Sequence, residues 1–196
     1  MKYLKISQIQ FQAKPTPHQN SILLENYYKQ TKKFKPDLIC TPECSNIITN
    51  DKSHLFKYAN YQSDCPILYM SKKFARKNNV HINIGSLLIK TKNQKKLSNR
   101  SFLIDNKGKL KSYYDKIHMF DVKIDKRETH KESESFKPGK KITLTKFNNI
   151  NFGFTICYDL RFPGLFRKLA KKGAQVILMP AAFTVPTGKD HWEILV

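Results

Sequence analysis

The chain of 196 residues is 40% hydrophobic and carries 36 lysines and arginines against 15 aspartates and glutamates, a formal charge of +21. That length and apolar content suffice for one domain spanning 1–196 with a substantial core. No apolar run approaches a membrane span, and the opening residues lack the continuous apolar stretch of a secretory signal, so a cytoplasmic protein is expected.

In that compartment Cys40, Cys44, Cys65 and Cys157 stay reduced, and no disulfide is expected. Cys40 and Cys44 lack a second ligand pair at zinc-site spacing, so no metal is expected either. The excess of lysine raises binding to nucleic acid or an anionic surface. Its distribution argues for solvated faces instead: basic pairs at 32–33, 72–73, 76–77, 95–96 and 140–141 fall on separate helix faces and turns. No DNA- or RNA-binding motif accompanies them. The charge can still steer anionic substrates towards a site.

Strands and helices alternate along the chain, which predicts an α/β fold. A strand over 3–11 leads through Thr16-Pro17, an N-cap followed by proline at the first helical position, into a helix reaching about residue 34. Ile22, Leu23, Leu24, Tyr27 and Tyr28 supply its apolar face. A strand over 37–41 carries Glu43 to the sheet edge. A second amphipathic helix over 66–77 precedes strands over 80–85 and 86–90. Strands over 102–105 and 109–114, joined by Asn106-Lys107-Gly108, form a hairpin that delivers Lys116. Residues 123–137 are charged and non-periodic, which predicts a long functional loop. A strand over 151–156, a helix over 163–172 ending at Gly173 and a strand over 174–179 form a βαβ unit.

Cys157 stands where the apolar run 151–156 stops and a proline-opened helix begins. A side chain at such a turn is lifted out of the sheet, and the free N–H groups behind it face incoming negative charge. A buried thiol ending a strand explains the position equally well. Two further segments each bring one polar group to a strand end: Thr41-Pro42-Glu43 and Tyr114-Asp115-Lys116. Singly, each is usually a solvated charge. Together, a carboxylate, an ammonium and a thiol are the parts needed to attack an unactivated carbonyl.

In the order Glu43, Lys116, Cys157, these segments resemble the nitrilase superfamily of carbon-nitrogen hydrolases, most closely its Nit-type amidase branch. The resemblance runs from the opening strand through Tyr114-Asp-Lys-Ile-His-Met-Phe-Asp121 and Gly153-Phe-Thr-Ile-Cys-Tyr-Asp-Leu-Arg-Phe-Pro163. It continues to Pro180-Ala-Ala-Phe183 and Thr187-Gly188-Lys-Asp-His-Trp-Glu193. The family's second glutamate, in a Glu-Ser stretch before a Pro-Gly turn, matches Glu132, or Glu134 if the register slips.

The resemblance implies a four-layer α-β-β-α sandwich, a homodimer and hydrolysis without a cofactor. The implied substrate is a small-molecule amide bearing a carboxylate, of the kinds handled by omega-amidases and deaminated glutathione amidases. Glu43 would be the base, Cys157 the nucleophile, and Lys116 with the Tyr158 N–H the oxyanion site, with Glu132 assisting. Phe183, Thr184, Thr187 and Trp192 could line the pocket, though a core role suits Phe183 and Trp192 equally. Family members continue past the helix containing His191-Trp192-Glu193 with further strands and a tail, so an incomplete, C-terminally truncated sandwich is expected.

Three alternatives accompany this reading. A truncated scaffold could dimerise or bind a partner without chemistry. A basic protein could bind nucleic acid. Cys157 could pair with His118 or His191, although the surrounding sequence has no papain-type signature. Otherwise both histidines line the pocket or pack, and Asp121, Asp159 and Arg161 form structural ion pairs.

Overall fold

A computed structural model describes residues 3–92, 95–123 and 129–196. Its first sheet orders β1 (Ile6–Gln8), β2 (Leu38–Cys40), β3 (His81–Lys90), β4 (Leu97–Ile104) and β5 (Leu110–Asp115) side by side. β1, β2 and β3 run parallel, and β3, β4 and β5 antiparallel. A short hairpin of β6 (Asp121–Lys123) and β7 (Thr129–Lys131) follows. The second sheet has β9 (Ile150–Phe154) between β8 (Leu144–Phe147) and the parallel β10 (Val176–Leu178).

Side chains alternate faces along a strand, so each strand of a central sheet serves two cores. Leu38, Leu103 and Tyr114 of the first sheet pack against Phe152, Phe154 and Leu178 of the second. Ile39, Ile82, Phe102 and Ile104 face the other way, onto Leu24 and Tyr28 of α1 (Pro17–Thr31) and Ile67, Leu68 and Ala75 of α3 (Pro66–Asn78). Fully burying each such aliphatic or aromatic side chain contributes about 1.5–3 kcal/mol. On the far side of β9, Gly153 lies against Leu169 of α5 (Pro163–Lys171). Helix, sheet, sheet and helix thus stack in four layers, the α-β-β-α arrangement expected.

Several predicted elements change in detail. β1 holds three residues of the predicted 3–11, because its parallel partner β2 offers only three ladder positions. Ile22, assigned to the buried face of α1, is exposed, while Leu24 and Tyr28 are fully buried. The two strands predicted over 80–90 are one, with a register shift between Ile84 and Leu87. Helix α2 (Lys52–Tyr58) was not anticipated; Asp51 caps it by accepting from the Ser53 and His54 N–H groups at 2.8 and 3.1 Å. The predicted loop over 123–137 contains β7 and the one-turn helix α4 (Glu132–Ser135), while its residues 124–128 lie outside the described ones. β8 joins β9 through Asn148 and Asn149, both at positive φ (49° and 65°), the two-residue turn that suits a hairpin's twist. The final helix is α6 (Val185–Leu195), and no helix among the described residues is long and apolar enough to cross a membrane.

The register shift in β3 positions the site. At Gly85 a Cβ would fall inside van der Waals contact of the Thr41 and Pro42 carbonyl oxygens and 2.6 Å from the Pro180 Cβ. Only glycine lets the turn after β2 and the segment after β10 approach β3 this closely. Gly85→Ala should therefore destabilise the fold by about 1–3 kcal/mol, the usual cost of overpacking, seen as a lowered denaturation midpoint. An unchanged midpoint would show that the three segments separate freely.

Candidate active site

Glu43 lies in the turn after β2, which is locked by short-range bonds. The Thr41 and Ser45 hydroxyls pair at 2.8 Å, Ser45 Oγ donates to the Pro42 carbonyl at 2.7 Å, and the Cys44 N–H donates to Ser86 Oγ at 2.8 Å. Cys44 takes φ 56° to turn the chain. Lys116 directly follows β5; its N–H donates to the Asn99 carbonyl of β4 at 2.9 Å, and its carbonyl accepts from Gly139 at 2.7 Å. Glu132 opens α4, where its Oε2 accepts from the Phe120 N–H at 2.6 Å. Cys157 sits three residues past the end of β9 at φ 47°, in the left-handed region. Its N–H donates to the Pro180 carbonyl at 2.8 Å, and a 3₁₀ turn over Cys157–Arg161 leads to the proline-opened α5. This is the sharp strand-to-helix turn read from the sequence.

These four side chains meet. Lys116 Nζ donates to Glu43 Oε1 at 3.0 Å and to Glu132 Oε1 and Oε2 at 3.1 and 3.0 Å. The Lys116 and Glu43 side chains are only 3% and 5% exposed, so each charge has left water and depends on its partner. The Ala182 N–H donates to Glu43 Oε2 at 2.9 Å. Asn99 Nδ2 reaches Glu43 Oε1 at 2.9 Å and Glu132 Oε1 at 3.4 Å. Burial works against the Lys116 ammonium, but the Glu43 and Glu132 carboxylates outweigh it and hold its proton more firmly than an ordinary lysine's. Burial also pushes the Cys157 thiol well above its usual range, and the Glu43 charge adds to that push. Lys116 and the Ala182 N–H pull the other way. The resting sulfur is therefore a protonated thiol beside a carboxylate.

The group borders a cavity of ≈ 150 Å³, walled also by Cys44, Ile48, Phe120, Tyr158, Arg161, Phe183, Thr184 and Thr187. Trp192, proposed from the sequence as a substrate contact, is absent from this wall; it supports Phe183 edge-on, with ring centroids 5.3 Å apart. Glu134 points elsewhere, 3.8 Å from Lys131 and 3.9 Å from Lys52 on the surface, so Glu132 is the glutamate that joins the cluster. Among the described residues, no group of three or more His, Cys, Asp or Glu side chains could hold a metal ion, and the four cysteines are free thiols.

Asp159 and Arg161, both expected in structural ion pairs, take two separate arrangements. Asp159 is fully buried and accepts from the Tyr114 hydroxyl (2.7 Å), the His118 N–H (3.0 Å), His118 Nδ1 (2.7 Å) and the Ile156 N–H (2.9 Å). It thereby ties the residues flanking Lys116 to the strand that ends at Cys157. Arg161 instead reaches His191 Nδ1 at 2.9 Å. Asp121 accepts from the Ser133 N–H at 2.9 Å, fixing the start of α4. His118, stacked on Phe162 at 3.6 Å, is committed to Asp159. Asn99 and Ala182 were not singled out in the sequence, and Cys44 was weighed there only as a thiol and metal ligand. The predicted strand began at 102, so Asn99 stood outside it, whereas β4 begins at Leu97.

A carbon-nitrogen hydrolase family model matches residues 5–196. Deaminated glutathione amidase of Yersinia enterocolitica is 37% identical over 100% of this chain and 68% of its own length. The omega-amidase NIT3 of Saccharomyces cerevisiae is 29% identical over 98% of this chain and 68% of its own length. The crystal structure of that yeast Nit3, a member of branch 10 of the nitrilase superfamily, superposes with a TM-score of 0.83 at 27% identity, covering 98% of this chain and 69% of that one. The crystal structure of the Caenorhabditis elegans NitFhit protein gives a TM-score of 0.87 at 29% identity, covering 98% of this chain and 46% of that one. The chain thus spans about two thirds of the first two proteins and under half of the third.

The electrostatics set a titration. The Cys157 thiol should ionise above the ordinary value of about 8.5, and Glu43→Gln, which removes the second cause of the upward push, should bring it down. Thiolate absorbance measured against a Cys157→Ala reference reads both values. A thiol that titrates lower in the native chain than in Glu43→Gln contradicts this electrostatic picture.

Proposed function

The chain belongs to the carbon-nitrogen hydrolase family, and on that premise we propose that it cleaves a small carboxylate-bearing amide to acid and ammonia through a thioester on Cys157. The observation that carries this reading is the buried ammonium held within 3.1 Å of two carboxylates, one of which presses on the thiol. Glu43 takes the proton that the thiol retains at rest, and the new thiolate adds to the amide carbon. With both glutamates ionised, that transfer leaves the cluster's net charge unchanged, so no further charge is buried.

The oxyanion that forms takes one Lys116 N–H, together with the Tyr158 N–H in the first turn after the nucleophile. Glu132 keeps the remaining ammonium protons oriented. Protonated Glu43 returns its proton to the departing ammonia, leaving the acyl thioester. Water, deprotonated by Glu43 with Glu132 assisting, then releases the acid and restores the thiol.

Arg161 supports the choice of substrate. Lys116 spends its donors on two carboxylates, whereas Arg161 lines the cavity and has a histidine ring nitrogen as its partner. A planar guanidinium there suits a substrate carboxylate. The names of the relatives point to a deaminated glutathione amide or an omega-amide, and a cavity of ≈ 150 Å³ favours the shorter omega-amide. The proposal includes a cytoplasmic homodimer built from single hydrolase domains. Its contact would use α6, where Val185, Ile194 and Val196 are exposed.

Ammonia release from a short dicarboxylic monoamide tests the reading. Cys157→Ala should abolish it, and Lys116→Ala should cut kcat by about 10²–10³ or more, as loss of an oxyanion donor does. Arg161→Met should raise KM for that amide by about tenfold or more, a charge-assisted hydrogen bond being worth about 1.5–3 kcal/mol, and leave a neutral amide little affected. Ammonia release that survives Cys157→Ala would refute the assignment.

A further inference from the structure

We propose that Asn99 is a positioning residue for this hydrolysis: its side-chain amide bridges Glu43 and Glu132 and turns the Oε2 oxygen of Glu43 towards the thiol. The inference rests on the hydrolase reading of the site and adds a residue to it. Asn99 is 2% exposed, in mid-strand β4, and it touches three of the four clustered residues. Its Nδ2 donates to Glu43 Oε1 at 2.9 Å and to Glu132 Oε1 at 3.4 Å, and its carbonyl accepts from the Lys116 N–H at 2.9 Å.

The other end of the amide shows what fixes it. Asn99 Oδ1 is buried and has no hydrogen-bond partner among the described residues. A buried acceptor left unpaired carries a cost, and flipping the amide would aim that oxygen at two carboxylates, which is worse. The two glutamates therefore dictate which end of the amide faces them.

The consequence is an asymmetry within one carboxylate. Glu43 Oε1 accepts from both Lys116 and Asn99, whereas Oε2 accepts from the Ala182 N–H, which also acts on the Cys157 sulfur. Oε2 is thus the less saturated oxygen and lies on the thiol's side, ready to receive its proton. When an oxyanion draws one N–H of Lys116 away, Asn99 still holds both glutamates in place. The charged or titratable groups around this cluster are Glu43, Glu132, Lys116, Arg161, Tyr158, Cys44 and Cys157.

The test compares the native chain with Asn99→Leu, which deletes the donor at similar size, and Asn99→Asp, which adds a negative charge at the same shape. Two profiles against pH are measured: kcat/KM for the amide, and iodoacetamide alkylation of Cys157 read by peptide mass. Asn99→Leu should lower kcat about tenfold or more, with KM changed much less, and move the acid limb of kcat/KM upwards, because a carboxylate losing a donor holds its proton longer. Asn99→Asp should slow alkylation at neutral pH by about tenfold or more, since a carboxylate set against Glu43 and Glu132 adds to the negative charge that holds the thiol's proton. Profiles that coincide with the native ones, with activity falling only in step with folded protein, would overturn the proposal.

Alkylation displaces iodide and leaves the C–N bond intact, so native chain that alkylates at Cys157 yet releases no ammonia would sink the hydrolase reading and leave the Asn99 claim to the thiol profile. Should neither variant fold, nuclear magnetic resonance of the native chain and Glu43→Gln decides. The Asn99 side-chain amide signals should shift between the two, and signals that stay put would overturn the proposal.

Discussion

A lysine ammonium buried to 3% exposure can remain charged only if the protein supplies what water no longer does. Here two carboxylates supply it, and meeting that requirement dictates most of the local architecture. Glu43 comes from the end of β2, Lys116 from the end of β5 and Glu132 from the first turn of α4. Removing Lys116 would leave two carboxylates without their cation, one of them in a dry interior. The same cluster governs the thiol: burial and Glu43 keep its proton on, so the group proposed to remove that proton also raises the thiol's affinity for it. Transfer between them moves charge without creating it.

Convergence of such distant segments needs the two sheets to dock in one register. The intersheet core of Leu38, Leu103, Tyr114, Phe152 and Phe154 supplies the adhesion. Near the site, polar contacts take over. Asp159 accepts four hydrogen bonds from residues flanking both Lys116 and Cys157, joining the tail of the first sheet to the nucleophile turn. On the other side, Gly85 lets the Glu43 turn and the Pro180 segment meet over β3. Adhesion and register thus have separate causes, one apolar and non-directional, the other polar and specific.

What could be read from the sequence follows the same division. The Cys157 turn was legible because an apolar strand, a reactive residue and a helix-opening proline stand in immediate succession, and the positive φ of Cys157 is the backbone expression of that pattern. Glu43 and Lys116 were legible as polar groups ending strands. The layered sandwich came from family resemblance, since periodicity gives faces but not partners. Asn99 was invisible because its importance lies in contacts with residues 56 and 33 positions away. Asp159 and Arg161 were expected in structural ion pairs, but their partners were not readable: Asp159 is buried against Tyr114, His118 and Ile156, and Arg161 lines the cavity beside His191. Trp192 read equally well as pocket wall or as packing, and the helix sets it against Phe183, off the cavity wall. The hairpin of β8 and β9 has adjacent asparagines as its one local sign, Asn148 and Asn149, both at positive φ.

The central claim is that a single sulfur becomes covalently attached to the acyl half of an amide and then gives it up to water. Mass measurement of the intact chain, quenched during turnover of a short dicarboxylic monoamide, addresses this directly. The account predicts a transient added mass equal to the amide less ammonia, located on the peptide containing Cys157 and cleared as substrate is exhausted. Ammonia released while the chain's mass never changes under rapid quenching, or an adduct located on Cys44, Cys40 or Cys65 instead, would contradict it.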